Sequence, residues 1–164
     1  MPAQWTRRRF LRLGGVTGAL GVAGCFGDAD ENRSEIEDAI AVTNARQYNA
    51  PECRCCERYA STLRDSIDGE ITETVPEDIG AIKREYGVPE GLRSCHTLVI
   101  DEYVVEGHVP VEAIGTLLTE QPDIDGIALP GMPAGAPGMG GQKEARFAVY
   151  AIGGDRTGTE FTTV

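Results

Sequence analysis

Four of the five cysteines and both histidines of this sequence fall into three short segments. Three cysteines lie within four residues, a fourth cysteine stands beside a histidine, and a second histidine follows a β-rich run. These residues are Cys53, Cys55, Cys56, Cys95, His96 and His108. Thiolate ligands select Cu(I), zinc or iron–sulfur centres over hard cations. We therefore predict a soft-metal site here. His96 and His108 are expected either as ligands or neighbours of ligands, or as capping or solvated residues at strand ends.

Three other chemistries fit the same cysteines. Cys53 and Cys56 have C-x-x-C spacing before a predicted helix, which is typical of thiol–disulfide oxidoreductases, although Cys55 inside the motif invites scrambling. A structural disulfide is a second alternative in an oxidising compartment. Four cysteines also suit a zinc or an iron–sulfur site. Cys95 has a further interpretation as a plain core cysteine.

Two methionines lie in a segment rich in proline and glycine. Residues 122–141 contain Met132, Met139, four prolines and six glycines. This composition predicts a long functional loop without regular structure. The methionines are expected either to form a thioether lid over copper or to anchor the loop on the domain.

The first residues have the features of an export signal. Residues 6–12 are cationic, and an uncharged stretch that is too short to span a bilayer follows. Residues 1–24 resemble a twin-arginine-type lipoprotein signal, with Cys25 as the lipidated residue. We predict an acidic tether over 25–38 and anchoring to the outer face of the cytoplasmic membrane.

The composition limits the remaining function classes. The chain has 164 residues and a formal charge of −11, which argues against a nucleic-acid binder. Removal of residues 1–24 would remove four arginines and no acid, leaving −15. Such acidity predicts a halophilic source, where high salt screens repulsion. The sequence contains no motif of a hydrolase triad, a P-loop or a dinucleotide site.

The order of predicted elements indicates one α/β domain over 39–164. We predict strands at 39–48 and 70–75, helices at 56–67, 77–86 and 111–119, a hairpin pairing 97–100 with 103–106, and a closing hairpin pairing 147–152 with 159–164. The first helix is expected to end near Gly69. This order is compatible with a thioredoxin-like sheet.

Four motifs in order resemble the CopG-type copper-resistance family of predicted metal-binding proteins, a family distinct from the repressor of the same name. They are the C-x-C-C turn at 53–56 and the segments 86–97, 103–110 and 129–139. Together they cover about residues 48–139. The sequence departs from the family pattern at Pro51, Glu52 and Arg54.

The resemblance implies a thioredoxin-like fold that binds copper in extracytoplasmic copper tolerance. By position, Cys53, Cys55, Cys56 and Cys95 would be the sulfur ligands of a mononuclear or a thiolate-bridged multinuclear site. The lower-ranked candidates nearby are His96, His108, Met132 and Met139. We therefore expect a membrane-anchored protein that holds Cu(I), with or without Cu(I)/Cu(II) cycling. A copper-transfer protein or an exporter is its expected partner, and a thiol–disulfide oxidoreductase is the alternative function.

Overall fold

The computed structural model describes residues 40–164, which contain three α-helices, two short 3-10 helices (Glu90–Leu92 and Gly154–Arg156) and nine strands. The helices are α1 (Arg54–Arg64), α2 (Ile79–Glu85) and α3 (Val111–Glu120). The strands are β1 (Ile40–Ala41), β2 (Ala45–Asn49), β3 (Ile67–Asp68), β4 (Ile71–Thr74), β5 (His96–Ile100), β6 (Tyr103–Gly107), β7 (Gly126–Leu129), β8 (Ala148–Ile152) and β9 (Glu160–Thr163). The predicted signal, its lipidated Cys25 and the acidic tether lie outside the described residues.

Seven strands form one mixed sheet in the order β4-β2-β5-β6-β7-β8-β9. The pairs β2–β4 and β6–β7 are parallel, and the other neighbouring pairs are antiparallel. Strands β1 and β3 form a separate parallel pair. The α/β class predicted from the sequence is confirmed, and the topology is compatible with a thioredoxin-like sheet.

The sheet is buried on both faces at its centre. One face carries the larger core cluster, to which α1 and α3 contribute Tyr59, Leu63 and Ile114. Alternate residues of β6 and β7 enter a smaller cluster on the other face, which includes Val104. Because side chains alternate along a strand, β6 and β7 supply both clusters.

Helix α1 is amphipathic, and its apolar stripe fixes its place on the sheet. Cys56, Tyr59 and Leu63 are buried at helical spacing. The predicted end near Gly69 is wrong, because α1 stops at Arg64. Ile67 belongs to β3 instead, where it pairs with β1.

Two further expectations are corrected. The predicted first strand is broken into β1 and β2, because Asp101 Oδ1 accepts hydrogen bonds from the amides of Thr43 and Asn44 at 2.9 and 3.0 Å. The segment 122–141 is not wholly irregular, because it contains β7, all of whose residues are buried. The glycine that begins β7 is needed there, since a Cβ on Gly126 would lie 2.0 Å from Val104 O.

Residues 130–141 of that segment belong to a loop between β7 and β8, which we call the 130–147 loop. The elements predicted at 70–75, 77–86, 111–119 and the two hairpins are confirmed. No helix among residues 40–164 is long and apolar enough to cross a membrane.

Candidate metal centre

The turn that leads into α1 positions the three cysteines of the C-x-C-C motif. Cys53 is the N-cap residue of α1, and its carbonyl accepts hydrogen bonds from the amides of Cys56 and Glu57 at 3.1 and 3.3 Å. Glu52 before it has φ 55°, a left-handed conformation that closes the turn. Cys55 and Cys56 therefore lie in the first helical turn, close to Cys53.

Two of these cysteines are joined in the structure. Cys53 and Cys56 form a disulfide, whereas Cys55 and Cys95 are free thiols. The Sγ atom of Cys55 lies 3.4 Å from that of Cys53. Only Cys56 among the four is fully buried.

Strand pairing brings Cys95 to the same place. Cys95 comes directly before β5, and its carbonyl accepts a hydrogen bond of 3.1 Å from the amide of Ala50, just beyond β2. Strand β2 leads into the cysteine turn, so the β2–β5 pairing unites the two motifs. The sulfur atoms of Cys53, Cys55, Cys56 and Cys95 all lie within 4.8 Å of one another.

Both histidines face Cys95. His96 begins β5 and His108 follows β6, and both are fully buried. The distance from Cys95 Sγ is 3.4 Å to His96 Nδ1 and 3.1 Å to His108 Nε2. Cys95, His96 and His108 therefore form a second group whose ligand atoms lie within 4.8 Å of one another.

The hydrogen bonds of His108 fix its tautomer. Its Nδ1–H donates to the carbonyl oxygen of Pro137 at 2.7 Å, because a carbonyl can only accept. Its Nε2 lone pair therefore faces Cys95. An imidazole whose outer N–H is held by a carbonyl is typical of a histidine prepared to bind metal.

The site disfavours charge when no metal is bound. Burial and the nearby His108 and Lys83 lower the pKa of His96 to about 3. Burial also lowers the pKa of His108. Burial and the neighbouring Cys55 raise the pKa of Cys95 to about 11. A soft cation would compensate thiolates in such a setting.

Tyr59 and Gln47 support the site, and the motifs alone did not identify them. The Tyr59 ring lies 4.5 Å from the His96 ring, and its hydroxyl donates to Val109 O at 2.8 Å. Gln47 is fully buried and donates to the carbonyl of Cys56 at 2.9 Å. Its position inside β2 was the available signal, because a buried glutamine needs polar partners.

His96 Nε2 and Gln47 Oε1 are buried without a hydrogen-bond partner in the described part of the chain. An unpaired buried polar atom costs free energy. One nitrogen of His96 thus lacks a protein partner, whereas the other faces Cys95. The sulfur and nitrogen donors together fit a soft or borderline metal ion.

The methionines are less closely associated with these groups. Met132 is 43% exposed, whereas Met139 packs against the larger core cluster as a loop anchor would. The 130–147 loop nevertheless contacts α1, since a Cβ on Gly138 would lie 2.8 Å from Cys55 O. The role of both methionines as thioether ligands stays a prediction.

Comparisons with known proteins agree with the motifs. Residues 92–139 match a family described as a protein of unknown function, DUF411. No curated protein matches the chain. Two solved structures are similar to it, named copper resistance protein CopG Form 2 and Form 1. Their identities are 32% and 33%, and their TM-scores are 0.66 and 0.67.

Each likeness covers 77% of this chain, and it covers 99% of the Form 2 structure and 98% of the Form 1 structure. The similarity therefore extends over nearly the whole length of those proteins. With four ordered motifs, the fold and this identity, the chain belongs to the family of the copper resistance protein CopG.

Proposed function

We propose that this protein binds Cu(I) through the thiolates of Cys53, Cys55, Cys56 and Cys95 and serves copper tolerance. The observation that carries the proposal is the convergence of these four sulfur atoms within 4.8 Å. Soft thiolates favour Cu(I), and bridging sulfurs let several ions share charge. The similar structures are of a copper resistance protein, which supports copper as the metal.

The disulfide defines the condition under which this site works. Closure of Cys53 and Cys56 removes two thiolates and leaves Cys55 and Cys95. Reduction of the disulfide is therefore required before four thiolates can hold copper. Cys95, His96 and His108 offer the mixed sulfur and imidazole ligands that also suit Cu(II), which supports Cu(I)/Cu(II) cycling as part of the proposal.

The proposal includes a place and a partner for the protein. We propose that the chain is exported and held at the outer face of the cytoplasmic membrane by lipid on Cys25. A copper-transfer protein or an exporter would receive the metal there. Residues 1–39 lie outside the described part of the chain. Both statements therefore rest on the leader sequence and on the family.

A single substitution tests the four-thiolate site. The Cys95→Ser variant of the reduced full chain should lose most of its bound Cu(I), because Cys95 belongs to both ligand groups. Copper retained after anaerobic desalting is measured against protein concentration. Cys25→Ser is the matched control and should retain the wild-type amount. A full complement of copper in Cys95→Ser would refute the proposal.

A second candidate is a thiol–disulfide oxidoreductase. The observation in its favour is the Cys53–Cys56 disulfide at the N-terminus of α1. Cys55→Ser separates the two functions, because an oxidoreductase would keep its dithiol and the copper site would lose a ligand. Reductase activity on a disulfide substrate together with undiminished copper binding in this variant would favour the oxidoreductase.

A further inference from the structure

A buried ion pair lies beside Cys95, outside the two ligand groups. Glu106 of β6 is fully buried, and its Oε1 accepts hydrogen bonds from Lys83 Nζ and from the amide of Ser94, both at 2.5 Å. Its Oε2 accepts from the hydroxyl of Thr97 at 2.7 Å. Lys83 of α2, whose side chain is 5% exposed, also donates to Thr97 at 3.1 Å.

The Glu106 carboxylate is thus hydrogen-bonded to the residue that precedes Cys95. Ser94 precedes Cys95, and its amide is held by Glu106. The Ser94 side chain also packs closely against Gly107, since a Cβ added to Gly107 would lie 2.8 Å from Ser94 Cβ. On the other side, Cys95 O accepts from the amide of Ala50 at 3.1 Å. The backbone is anchored on both sides of the Cys95 side chain.

Stability alone is a weak reason for such a pair. Removing two charges from water costs about as much as their attraction returns, and apolar replacements are often equally stable. The ion pair instead fixes the orientation of the Glu106 carboxylate. Charge-assisted hydrogen bonds hold Glu106 from Lys83, Thr97 and Ser94, so the carboxylate has little freedom to turn.

We propose that Glu106 is a positioning residue for Cys95. Lys83 and Thr97 hold its carboxylate, the carboxylate fixes the Ser94 amide, and the amide sets where the Cys95 thiol meets the other ligands. This inference rests on the proposed function for its copper readout. The inference gives the contact between Lys83 of α2 and Glu106 of β6 a role in the metal site, which the ligand motifs do not describe.

Two double variants that both remove the ion pair test the inference. Lys83→Met with Glu106→Leu replaces the pair by apolar side chains and removes the acceptor for Ser94 N–H. Lys83→Met with Glu106→Gln also removes both charges, yet the glutamine carbonyl can still accept from that amide. Comparison of the two variants therefore separates the effect of the hydrogen bond to Ser94 N–H from the effects of charge and side-chain volume.

Copper affinity of the reduced full chain is measured by competition with a Cu(I) chelator, together with the Cu(I)–thiolate charge-transfer spectrum. The leucine variant should bind about tenfold more weakly or worse, with an altered spectrum. The glutamine variant should lie within about threefold of wild type. Equal affinities and identical spectra for the two variants would overturn the inference.

Amide hydrogen exchange in the wild-type chain keeps the inference testable if a variant does not fold. The Ser94 amide should exchange as slowly as the β5 amides, because its hydrogen is bound to a buried carboxylate. Exchange at the rate of an exposed loop amide would refute the positioning role. Absence of copper from the wild-type chain would instead refute the proposed function, and the exchange result would stand separately.

Discussion

Cys95 is the residue that both ligand groups share. Its sulfur lies within 4.8 Å of the three sulfurs at the α1 turn and of both imidazoles. The same thiol resists ionisation, since burial and Cys55 raise its pKa to about 11. Binding of copper to Cys95, as proposed above, would therefore displace a proton, and the reactivity of this thiol in the metal-free chain reports its environment.

We predict a steep pH dependence for alkylation of Cys95. Only the thiolate reacts, so the rate of modification by iodoacetamide should rise about tenfold per pH unit from pH 7 to pH 10. The measurement uses the metal-free chain with its Cys53–Cys56 disulfide intact, and peptide mass spectrometry identifies the modified residue. A rate that levels off below pH 9 would contradict the raised pKa.

The ligand types could be predicted from the sequence, but their supports could not. Cysteine and histidine carry an obvious chemistry, and the resemblance to the CopG-type family implied that Cys95 joins the cysteines of the C-x-C-C turn. Tyr59 lies in the predicted helix 56–67, but its contact with His96 depends on how α1 packs against β5. Glu106 was predicted only as part of the strand 103–106, because its partners are Lys83 of α2 and the segment 94–97, which the fold brings together.

At the scale of elements, the 130–147 loop covers one side of the site. Pro137 O holds the Nδ1–H of His108 at 2.7 Å, and the next residue, Gly138, packs against the backbone of α1. A Cβ on Gly138 would lie 2.6 Å from Tyr59 N, and its φ of 75° is left-handed. The loop can approach α1 so closely because this residue is a glycine.

Gly138→Ala should therefore release bound copper faster. A displaced loop breaks the His108–Pro137 hydrogen bond and opens the site to water, and the substitution should also cost about 1 kcal/mol or more in the free energy of unfolding. The measurements are the rate of Cu(I) transfer to a chelator and the urea midpoint.

Gly131→Ala is the matched control for that prediction. Gly131 has a φ of 84°, but nothing lies within 4 Å of its added Cβ. It shares the backbone strain and lacks the clash with α1, so its copper release should resemble that of wild type. Equal release rates for Gly131→Ala and Gly138→Ala would show that the loop contact does not protect the site.

Element types were predictable where periodicity was strong, as in α1, α2, α3 and the hairpins. Strand β7 was missed because Pro122, Pro130 and Gly126 suggest a loop. In the fold, both prolines flank the strand, and Gly126 fits beneath Val104 where a side chain would clash. In the sequence Gly126 suggests a loop, whereas in the fold it is required by the close contact between β6 and β7.

At the scale of the molecule, the buried His96 makes stability depend on pH. Its pKa is about 3 in the folded chain and near 6.5 when exposed. Below pH 6.5 the unfolded chain therefore binds a proton that the folded chain does not. The free energy of unfolding should fall with decreasing pH by up to about 1.4 kcal/mol per pH unit from this residue, until about pH 3.

Urea denaturation of the metal-free chain between pH 7 and pH 4 measures this effect. The His96→Leu variant should show a shallower decrease than wild type, because it has no imidazole to protonate. His108 still titrates in that variant, so some dependence should remain. Parallel curves for the two proteins would contradict the assignment.

The net charge of −11 gives a second prediction for the whole molecule. Scattered like charges repel across the folded surface, and salt screens them within about 10 Å at 0.1 M. The urea midpoint should therefore rise between 0.1 M and 2 M KCl. An unchanged or lower midpoint would contradict the proposal that the acidity is an adaptation to high salt.

The convergence of four thiols on copper is the central claim, and metal loading tests it most directly. The full chain is reduced, loaded anaerobically with Cu(I) and desalted, and bound copper and free thiols are measured on the same sample. We predict more than one copper per chain, with Cys53, Cys55, Cys56 and Cys95 protected from alkylation. No retained copper, with a reversible Cys53–Cys56 disulfide instead, would contradict the account and favour the oxidoreductase.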